Sequence, residues 1–246
     1  MEEERPISER AAIVTGASRG IGLAIAEALA ADGYGLTLTA RQPEPLAATA
    51  AALEEQGHTV QHLAANLADE DGIKAVVRAH RERYGRLDVL VNNGGVGIGA
   101  AAGEHQTKFV DMQLDVNLRA VVLMYREALE LLRAAGAEHR RAQVVNLASI
   151  AGRCPEPWLS VYSATKAAVI AYTQAMNKEL GRDGIRSVAI CPGWVETDMT
   201  EFMKAEVPAE EMIRPADVAA GVRFVLALSP TAVVPEIVIE RPGGGF

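Results

Sequence analysis

The chain has 246 residues, of which 49% are hydrophobic and only 4% aromatic, and its formal net charge at pH 7 is −8. This composition excludes a disordered chain and argues against a nucleic-acid partner, which would require a clustered basic surface. No run approaches the roughly 18 apolar residues that a membrane span needs, so no membrane association is predicted. The acidic start MEEERPISER is unlike a signal peptide, and it predicts a cytoplasmic protein.

Strand-like and helix-like segments alternate along the whole chain. The predicted strands cover 11–15, 36–40, 59–65, 87–93, 143–149, 186–191 and 236–240. The predicted helices cover 21–33, 44–57, 69–85, 106–135, 160–182 and 215–228. This alternation predicts an α/β fold of Rossmann type, a doubly wound parallel sheet of about seven strands with helices on both faces. Because no linker or repeat interrupts the pattern, we expect residues 1–246 to form a single domain.

The cysteines and histidines form no recognisable motif. Cys154 and Cys191 lie far apart, which predicts no disulfide and a reducing compartment. His58 and His62 flank a predicted strand, where their spacing does not converge on a metal ion. We therefore expect no metal site.

The first predicted strand is followed by the turn TGASRGIG, with glycines at positions 16, 20 and 22. Glycines at a strand-to-helix turn let the backbone approach a ligand, and the helix N-terminus attracts phosphate. The alternative is a tight turn that needs glycine only for its dihedral angles. Its position after the first strand favours dinucleotide binding.

The end of the second strand indicates which dinucleotide is bound. It reads TLTAR, with Ala40 and Arg41 where an NAD-binding chain would carry a carboxylate. A guanidinium at Arg41 can pair with a 2′-phosphate, and Arg19 could reach the same group. The alternative is that Arg41 is a solvated loop residue. We favour NADP(H) over NAD(H).

Six features now stand in order along the chain. They are TGASRGIG, NNGG at 92–95, Asn117, Ser149, the pair Tyr162 and Lys166, and PGWVET at 192–197. Together they resemble the short-chain dehydrogenase/reductase family over nearly the whole chain, although a tyrosine and a lysine four residues apart are common by chance. The resemblance implies a Rossmann-type domain that uses NAD(H) or NADP(H) to interconvert carbonyls and alcohols. It also implies a homodimer or homotetramer paired through the fourth and fifth helices.

The resemblance gives a role to each of four catalytic residues. Tyr162 would exchange a proton with the carbonyl oxygen, and Ser149 would hydrogen-bond the same oxygen. Lys166 would hold the nicotinamide ribose and lower the pKa of Tyr162 below its ordinary value of about 10. Asn117 would hold a water that links Lys166 to solvent.

The cofactor contacts implied by the resemblance come from six segments. They are Gly16, Ser18, Arg19, Gly20, Ile21, Gly22, Arg41, Asn66, Leu67, Asn92, Gly94, Tyr162, Lys166, Pro192, Gly193, Val195 and Thr197. Two positions depart from the family pattern. Asn66 replaces the usual acid at the adenine, and Gly94 replaces the usual alanine, which predicts a looser loop.

Two segments should contact the substrate: 150–160, and a lid at about 194–212. The candidate residues are Ser149, Arg153, Trp158, Tyr162, Trp194, Met199 and Met203. Most are apolar, and Arg153 is a candidate for an anionic group. The alternative is that the methionines and aromatic residues only pack the lid onto the body of the protein.

The predicted function is that of an NADP(H)-dependent ketone reductase or alcohol dehydrogenase acting on a small molecule. One alternative is a 3-oxoacyl-type reductase, which the C-terminal sequence EIVIERPGGGF disfavours. The other is a non-enzymatic NADP(H)-binding regulator of the same fold. The complete catalytic set argues against the regulator.

Overall fold

The computed structural model describes residues 10–139 and 141–244. The strands are β1 (Ala11–Thr15), β2 (Gly35–Ala40), β3 (Val60–Ala64), β4 (Val89–Asn92), β5 (Ala142–Leu147), β6 (Ile185–Pro192) and β7 (Glu236–Ile239). The helices are α1 (Gly20–Ala31), α2 (Pro43–Glu55), α3 (Glu70–Tyr84), α4 (Thr107–Leu114), α5 (Ala120–His139), α6 (Ser160–Leu180) and α7 (Pro215–Ala227). Every predicted strand and helix that falls within the described residues is present.

The seven strands form one parallel sheet in the order β3-β2-β1-β4-β5-β6-β7. The predicted Rossmann-type architecture is therefore confirmed. The strand order reverses between β1 and β4, and ligands of such sheets bind at the carboxyl ends of the strands near this point. Here Thr15 ends β1 beside Thr39 of β2, and Asn92 ends β4.

Each face of the sheet carries its own hydrophobic core. One core packs α1, α2 and α7 against strand residues such as Val14 and Leu38, which are fully buried. The other packs α3, α5 and α6 against Ile13 and Leu90. Successive residues of β1 thus enter opposite cores, because side chains alternate along a strand. Both faces are covered, and β1, β2, β4, β5 and β6 are buried along their full length, as strands between two layers of helices are.

Within residues 10–139 and 141–244, no helix combines the length and the apolar character needed to cross a bilayer. No group of three or more histidine, cysteine, aspartate or glutamate side chains in the same ranges is arranged to hold a metal ion. His80 instead lies in the core, where its ring nitrogens contact the Thr37 hydroxyl and the Arg86 carbonyl.

Candidate active site

The glycine turn after β1 forms a cradle of bare backbone. Gly16 and Gly20 have φ values of +64° and +56°, which favour glycine, and a Cβ on Gly22 would overlap the Gly16 carbonyl. The residue before α1, Arg19, makes no side-chain cap, so the first N–H groups of the helix lack a side-chain acceptor. A phosphate fits this cradle, because free N–H groups and the helix dipole both attract it.

Asn93, a residue that the sequence did not indicate as functional, connects the glycine turn to the end of β4 by hydrogen bonds. Its amide nitrogen donates to the carbonyls of Thr15 and Gly16 at 2.9 and 3.1 Å. The backbone N–H groups of Asn93 and Gly94 both donate to the Thr15 hydroxyl. The predicted contact, Asn92, instead donates to Asn146 at 2.8 Å inside the sheet. The sequence signal that could have found Asn93 is its place next to Asn92 at the end of β4. Because side chains alternate along a strand, only one of the two can point into the sheet, and the other is left to contact the glycine turn.

The two departures from the family pattern have simple structural explanations. A Cβ on Gly94 would overlap Leu67, so the leucine side chain fills the space that an alanine would use. The looser loop stays a prediction. The side-chain oxygen of Asn66, Oδ1, accepts from the Ala68 N–H at 3.2 Å, so the side chain stabilises the turn that follows β3.

The two arginines expected at the 2′-phosphate lie in different environments. Arg41 is the residue directly after β2, and it is exposed at the same edge of the sheet as the glycine turn. Arg19 pairs with Asp198 of the lid at 2.8 Å, and both side chains are about 70% exposed. An exposed pair of this kind contributes only about 0–1 kcal/mol, so Arg19 can exchange Asp198 for a phosphate at little cost.

Ser149 and Tyr162 face each other at the carboxyl end of β5. The strand ends at Leu147, and Ser149 has an extended backbone and caps a short 3-10 helix, Ile150–Gly152. Its oxygen accepts from the Ala151 N–H at 3.2 Å. Tyr162, in the first turn of α6, makes a side-chain hydrogen bond with Ser149. These are the two hydroxyl groups that the sequence assigned to the substrate oxygen.

Lys166 lies one turn further along α6, on the same face as Tyr162. Its side chain is buried, and Nζ donates to the Leu147 carbonyl at 2.6 Å. Nζ also lies 5.6 Å from the centroid of the Tyr162 ring. Burial lowers the pKa of Lys166 to about 8, because the ammonium loses water and gains no carboxylate.

The pKa of Tyr162 differs from the sequence prediction. Burial raises it above its ordinary value, and only the hydrogen bond with Ser149 acts in the opposite direction. The predicted lowering by Lys166 is wrong for the chain described here. The reason is geometric, since the Lys166 ammonium bonds the Leu147 carbonyl beside the tyrosine ring.

Asn117 occupies a π-helical turn, Asp115–Arg119, that joins α4 to α5. Such turns are rare and often mark functional sites. Its buried amide accepts from the Val96 N–H and donates to the Val96 carbonyl, both at 2.8 Å, and it reaches the Thr165 hydroxyl at 3.1 Å. A Cβ on Gly95 would lie 3.3 Å from Asn117 Oδ1 and 3.5 Å from Lys166 Nζ. Asn117 therefore ties the β4–α4 loop to α6 beside Lys166.

The segment after β6 closes over the glycine turn. Pro192 ends β6, Val195 is buried and bridges to Ile213, and the Thr197 methyl group approaches Gly20. The lid then forms two short 3-10 helices, Asp198–Met203 and Ala209–Glu211. Of its predicted contacts, Met199 is half exposed, and Trp194 and Met203 are partly buried.

Arg153, a candidate for an anionic substrate group, already has a partner. Its guanidinium lies 2.8 Å from Glu236 Oε1. The same carboxylate oxygen accepts from the Cys191 thiol at 3.3 Å. An anion at Arg153 would therefore compete with a carboxylate that is already bound, which argues against that role.

Comparison with known proteins decides the family. Residues 10–208 match the family described as short chain dehydrogenase. The chain belongs to the short-chain dehydrogenase family. It is 36% identical over 242 residues to the granaticin polyketide synthase putative ketoacyl reductase 1 of Streptomyces violaceoruber, covering 90% of this chain and 88% of that protein.

Two solved structures of this family resemble the chain closely. A tryptophan variant of actinorhodin polyketide ketoreductase with NADPH has a TM-score of 0.86 and 32% identity, covering 96% of this chain and 97% of that one. An alcohol dehydrogenase of the archaeon Thermococcus sibiricus, complexed with 5-hydroxy-NADP, has a TM-score of 0.84 and 31% identity, covering 94% and 95%. The protein is thus an oxidoreductase of the short-chain type.

Proposed function

We propose that this short-chain dehydrogenase transfers hydride between NADP(H) and a ketone or secondary alcohol. The supporting observation is that Ser149, Tyr162 and Lys166 converge at the carboxyl end of β5, with Asn117 beside Lys166. A regulator of the same fold would have no need to keep this group of side chains together.

NADP(H) is the cofactor that the chain's own residues fit. The glycine cradle suits a pyrophosphate, and Arg41 after β2 and Arg19 in the glycine turn are two cations that can pair with a 2′-phosphate. The actinorhodin and Thermococcus structures hold NADPH and 5-hydroxy-NADP. When bound, the cofactor supplies the hydride.

The side chains divide the remaining chemistry among them. Tyr162 stays protonated at neutral pH because burial raises its pKa, so it can donate its O–H proton to the carbonyl oxygen. Ser149 donates a hydrogen bond to the same oxygen and stabilises its developing charge. The Lys166 ammonium, fixed beside the Tyr162 ring by the Leu147 carbonyl, would hold the nicotinamide ribose. Asn117 holds the β4–α4 loop in place and would position a water for Lys166.

The pKa of Lys166 predicts an alkaline limit to activity. Below about pH 8 the side chain is charged, and above it the charge is lost. We expect kcat/KM for NADPH, which reports groups of the free enzyme, to fall above about pH 8. Tyr162 cannot cause this limb, because its pKa is raised.

Measuring kcat/KM from about pH 6 to about pH 10 shows whether this alkaline limb, the fall in activity above about pH 8, is present. Lys166→Arg keeps its charge throughout that range, so the limb should disappear from its remaining activity. An identical limb in Lys166→Arg would contradict the assignment to Lys166.

The charge of the lid bears on the 3-oxoacyl alternative. Residues 194–212 contain one lysine, Lys204, and six exposed carboxylates, which are Glu196, Asp198, Glu201, Glu206, Glu210 and Glu211. An acidic lid disfavours substrates attached to a phosphate-bearing arm, because like charges repel at short range. This favours a neutral ketone, although the granaticin relative is named a ketoacyl reductase.

A substrate panel tests the proposal. Purified protein is mixed with NADPH or NADH and with neutral ketones, an acetoacetyl thioester or no substrate, while cofactor absorbance is followed. We expect NADPH oxidation with at least one neutral ketone and slower turnover of the thioester. Tight NADPH binding without turnover of any substrate would favour the regulator.

We further propose a cytoplasmic homodimer or homotetramer, in which each chain is one catalytic domain. Met112, Leu114 and Val122 leave apolar surface exposed on the continuous helix formed by α4 and α5. Burying such surface between subunits would be favourable. Light scattering on purified protein measures the oligomeric state, and a monomer at micromolar concentration would refute this part of the proposal.

A further inference from the structure

The loop between β5 and α6 holds a tryptophan in a rare backbone conformation. Among the described residues, Trp158 is the only one other than glycine with a positive φ, at +59°. A hydrogen bond of 2.8 Å from the Leu159 N–H to the Pro157 carbonyl spans it, so Trp158 is the centre of a three-residue turn. Bulky side chains rarely adopt this conformation, and such strain is concentrated at functional sites.

The surrounding structure keeps Trp158 in this conformation. The Ala100 N–H donates to the Trp158 carbonyl at 2.7 Å, and Leu159, the next residue, is buried. The indole ring lies against Gly99, where any Cβ would overlap it. Yet the residue is 47% exposed. Trp158 is therefore held rigidly without contributing a full side chain to the core.

Three aromatic rings meet at this point, and we call Trp158, Trp194 and Phe202 the aromatic clasp. Phe202 packs edge to face on Trp158 at 5.8 Å between centroids and on Trp194 at 6.0 Å. Phe202 is 57% exposed. Aromatic surface left open by rings from two different segments is typical of a binding site.

A strip of glycine backbone connects the clasp with the catalytic residues. In the sequence GGVGIGA, Gly95, Gly97 and Gly99 alternate, so in an extended chain they share one face. A Cβ on Gly95 would lie 3.5 Å from Lys166 Nζ, and a Cβ on Gly97 would lie 3.6 Å from the Tyr162 ring. Lys166, Tyr162 and Trp158 therefore lie one after another along this face of the loop, which places Trp158 next to the reacting groups.

Building on the proposed reductase function, we propose that the aromatic clasp binds an aromatic ring next to the substrate carbonyl and thereby selects aryl ketones over saturated ketones of equal size. A phenyl group and a cyclohexyl group bury similar apolar area. Only the phenyl group has the electron-rich face and positive edge that favour edge-to-face packing with Trp158 and Phe202. The acidic lid adds discrimination against anionic substrates.

Two ketones with the same carbon skeleton test this selection. Acetophenone and cyclohexyl methyl ketone differ only in the aromaticity of the ring, and the ratio of their kcat/KM values is measured with NADPH. We expect Trp158→Ala to lower the ratio about tenfold and Phe202→Ala about threefold. Gly99→Ala should act like Trp158→Ala, because its methyl group displaces the indole ring. Each variant's ratio is divided by the ratio for the unmodified protein, because this removes the difference in intrinsic reactivity between the two ketones.

Phe224→Ala is the matched control. Phe224 is 53% exposed, close to the value for Phe202, but it lies on α7. This variant should leave the ratio unchanged. Unchanged ratios in both Trp158→Ala and Phe202→Ala would overturn the inference and leave the reductase function standing.

A binding measurement separates the clasp from the reaction. The chain has two tryptophans, so Trp194→Phe leaves Trp158 as the only indole. We expect 1-phenylethanol to change its fluorescence saturably, at concentrations about tenfold lower than 1-cyclohexylethanol. The absence of any saturable change would overturn the inference. If the fluorescence change is saturable but none of the ketones supports NADPH oxidation, the result would support the clasp and refute the proposed function.

Discussion

Replacing Tyr162 with phenylalanine should lower kcat/KM for ketone reduction about 10³-fold, because positioned proton donors contribute roughly 10²- to 10⁴-fold. The hydroxyl is the only group removed, and the ring keeps its contact with Lys166. NADPH binding, followed by the fluorescence of the reduced cofactor, should change less than about threefold. The defect would then lie in the chemical step, since binding is retained.

Tyr172→Phe is the control for this experiment. Tyr172 lies on the same helix, α6, and packs edge to face on Tyr125 with ring centroids 5.3 Å apart. Loss of its hydroxyl should leave turnover within about twofold. If Tyr162→Phe retained turnover close to that of Tyr172→Phe, another group would have to supply the proton, and the assignment of Tyr162 would be refuted.

The fold could be predicted because it depends on local patterns. Each strand is a short apolar run, and each helix has apolar residues at helical spacing. Because strands and helices alternate along the chain, a parallel doubly wound sheet is the expected architecture. Helix ends were also predictable where glycine stops the helix, as at Gly85, which has a φ of +69°.

The contacts between loops could not be predicted in the same way. Nothing in the spacing of Arg19 and Asp198, or of Arg153 and Glu236, indicates that they pair. Such pairs join loops that only the completed sheet brings together. The raised pKa of Tyr162 was missed for a related reason, since burial depends on how α6 packs and not on the spacing of Tyr162.

The positive φ of Trp158 was equally hidden. The sequence predicts glycine or asparagine at such positions, and a tryptophan there gives no signal. The sequence indicated Trp158 only as a candidate substrate contact, and the structure adds the conformation that points its ring at Gly99 and Phe202. Strain of this kind becomes visible only when the backbone is known.

The second large effect concerns the choice between the two nicotinamide cofactors. Arg41→Ala should weaken NADPH binding about 10- to 100-fold, since a hydrogen bond to a charged group contributes about 1.5–3 kcal/mol. NADH lacks the 2′-phosphate, so its affinity should change less than about twofold. Titration of both cofactors by fluorescence measures the ratio. Arg78→Ala, at an exposed arginine of α3, controls for the loss of one positive charge.

Arg19 gives this experiment its internal comparison. Arg41 makes no contact with the lid that would have to be broken, whereas Arg19 must release Asp198 before it can meet a phosphate. Asp198→Asn removes the competing charge, so it should tighten NADPH binding a few-fold in the presence of Arg19 and have no effect in Arg19→Ala. Equal losses of NADPH and NADH affinity in Arg41→Ala would refute its contact with the 2′-phosphate. A selective loss in Arg19→Ala alone would transfer that role to the glycine turn and couple cofactor binding directly to the lid.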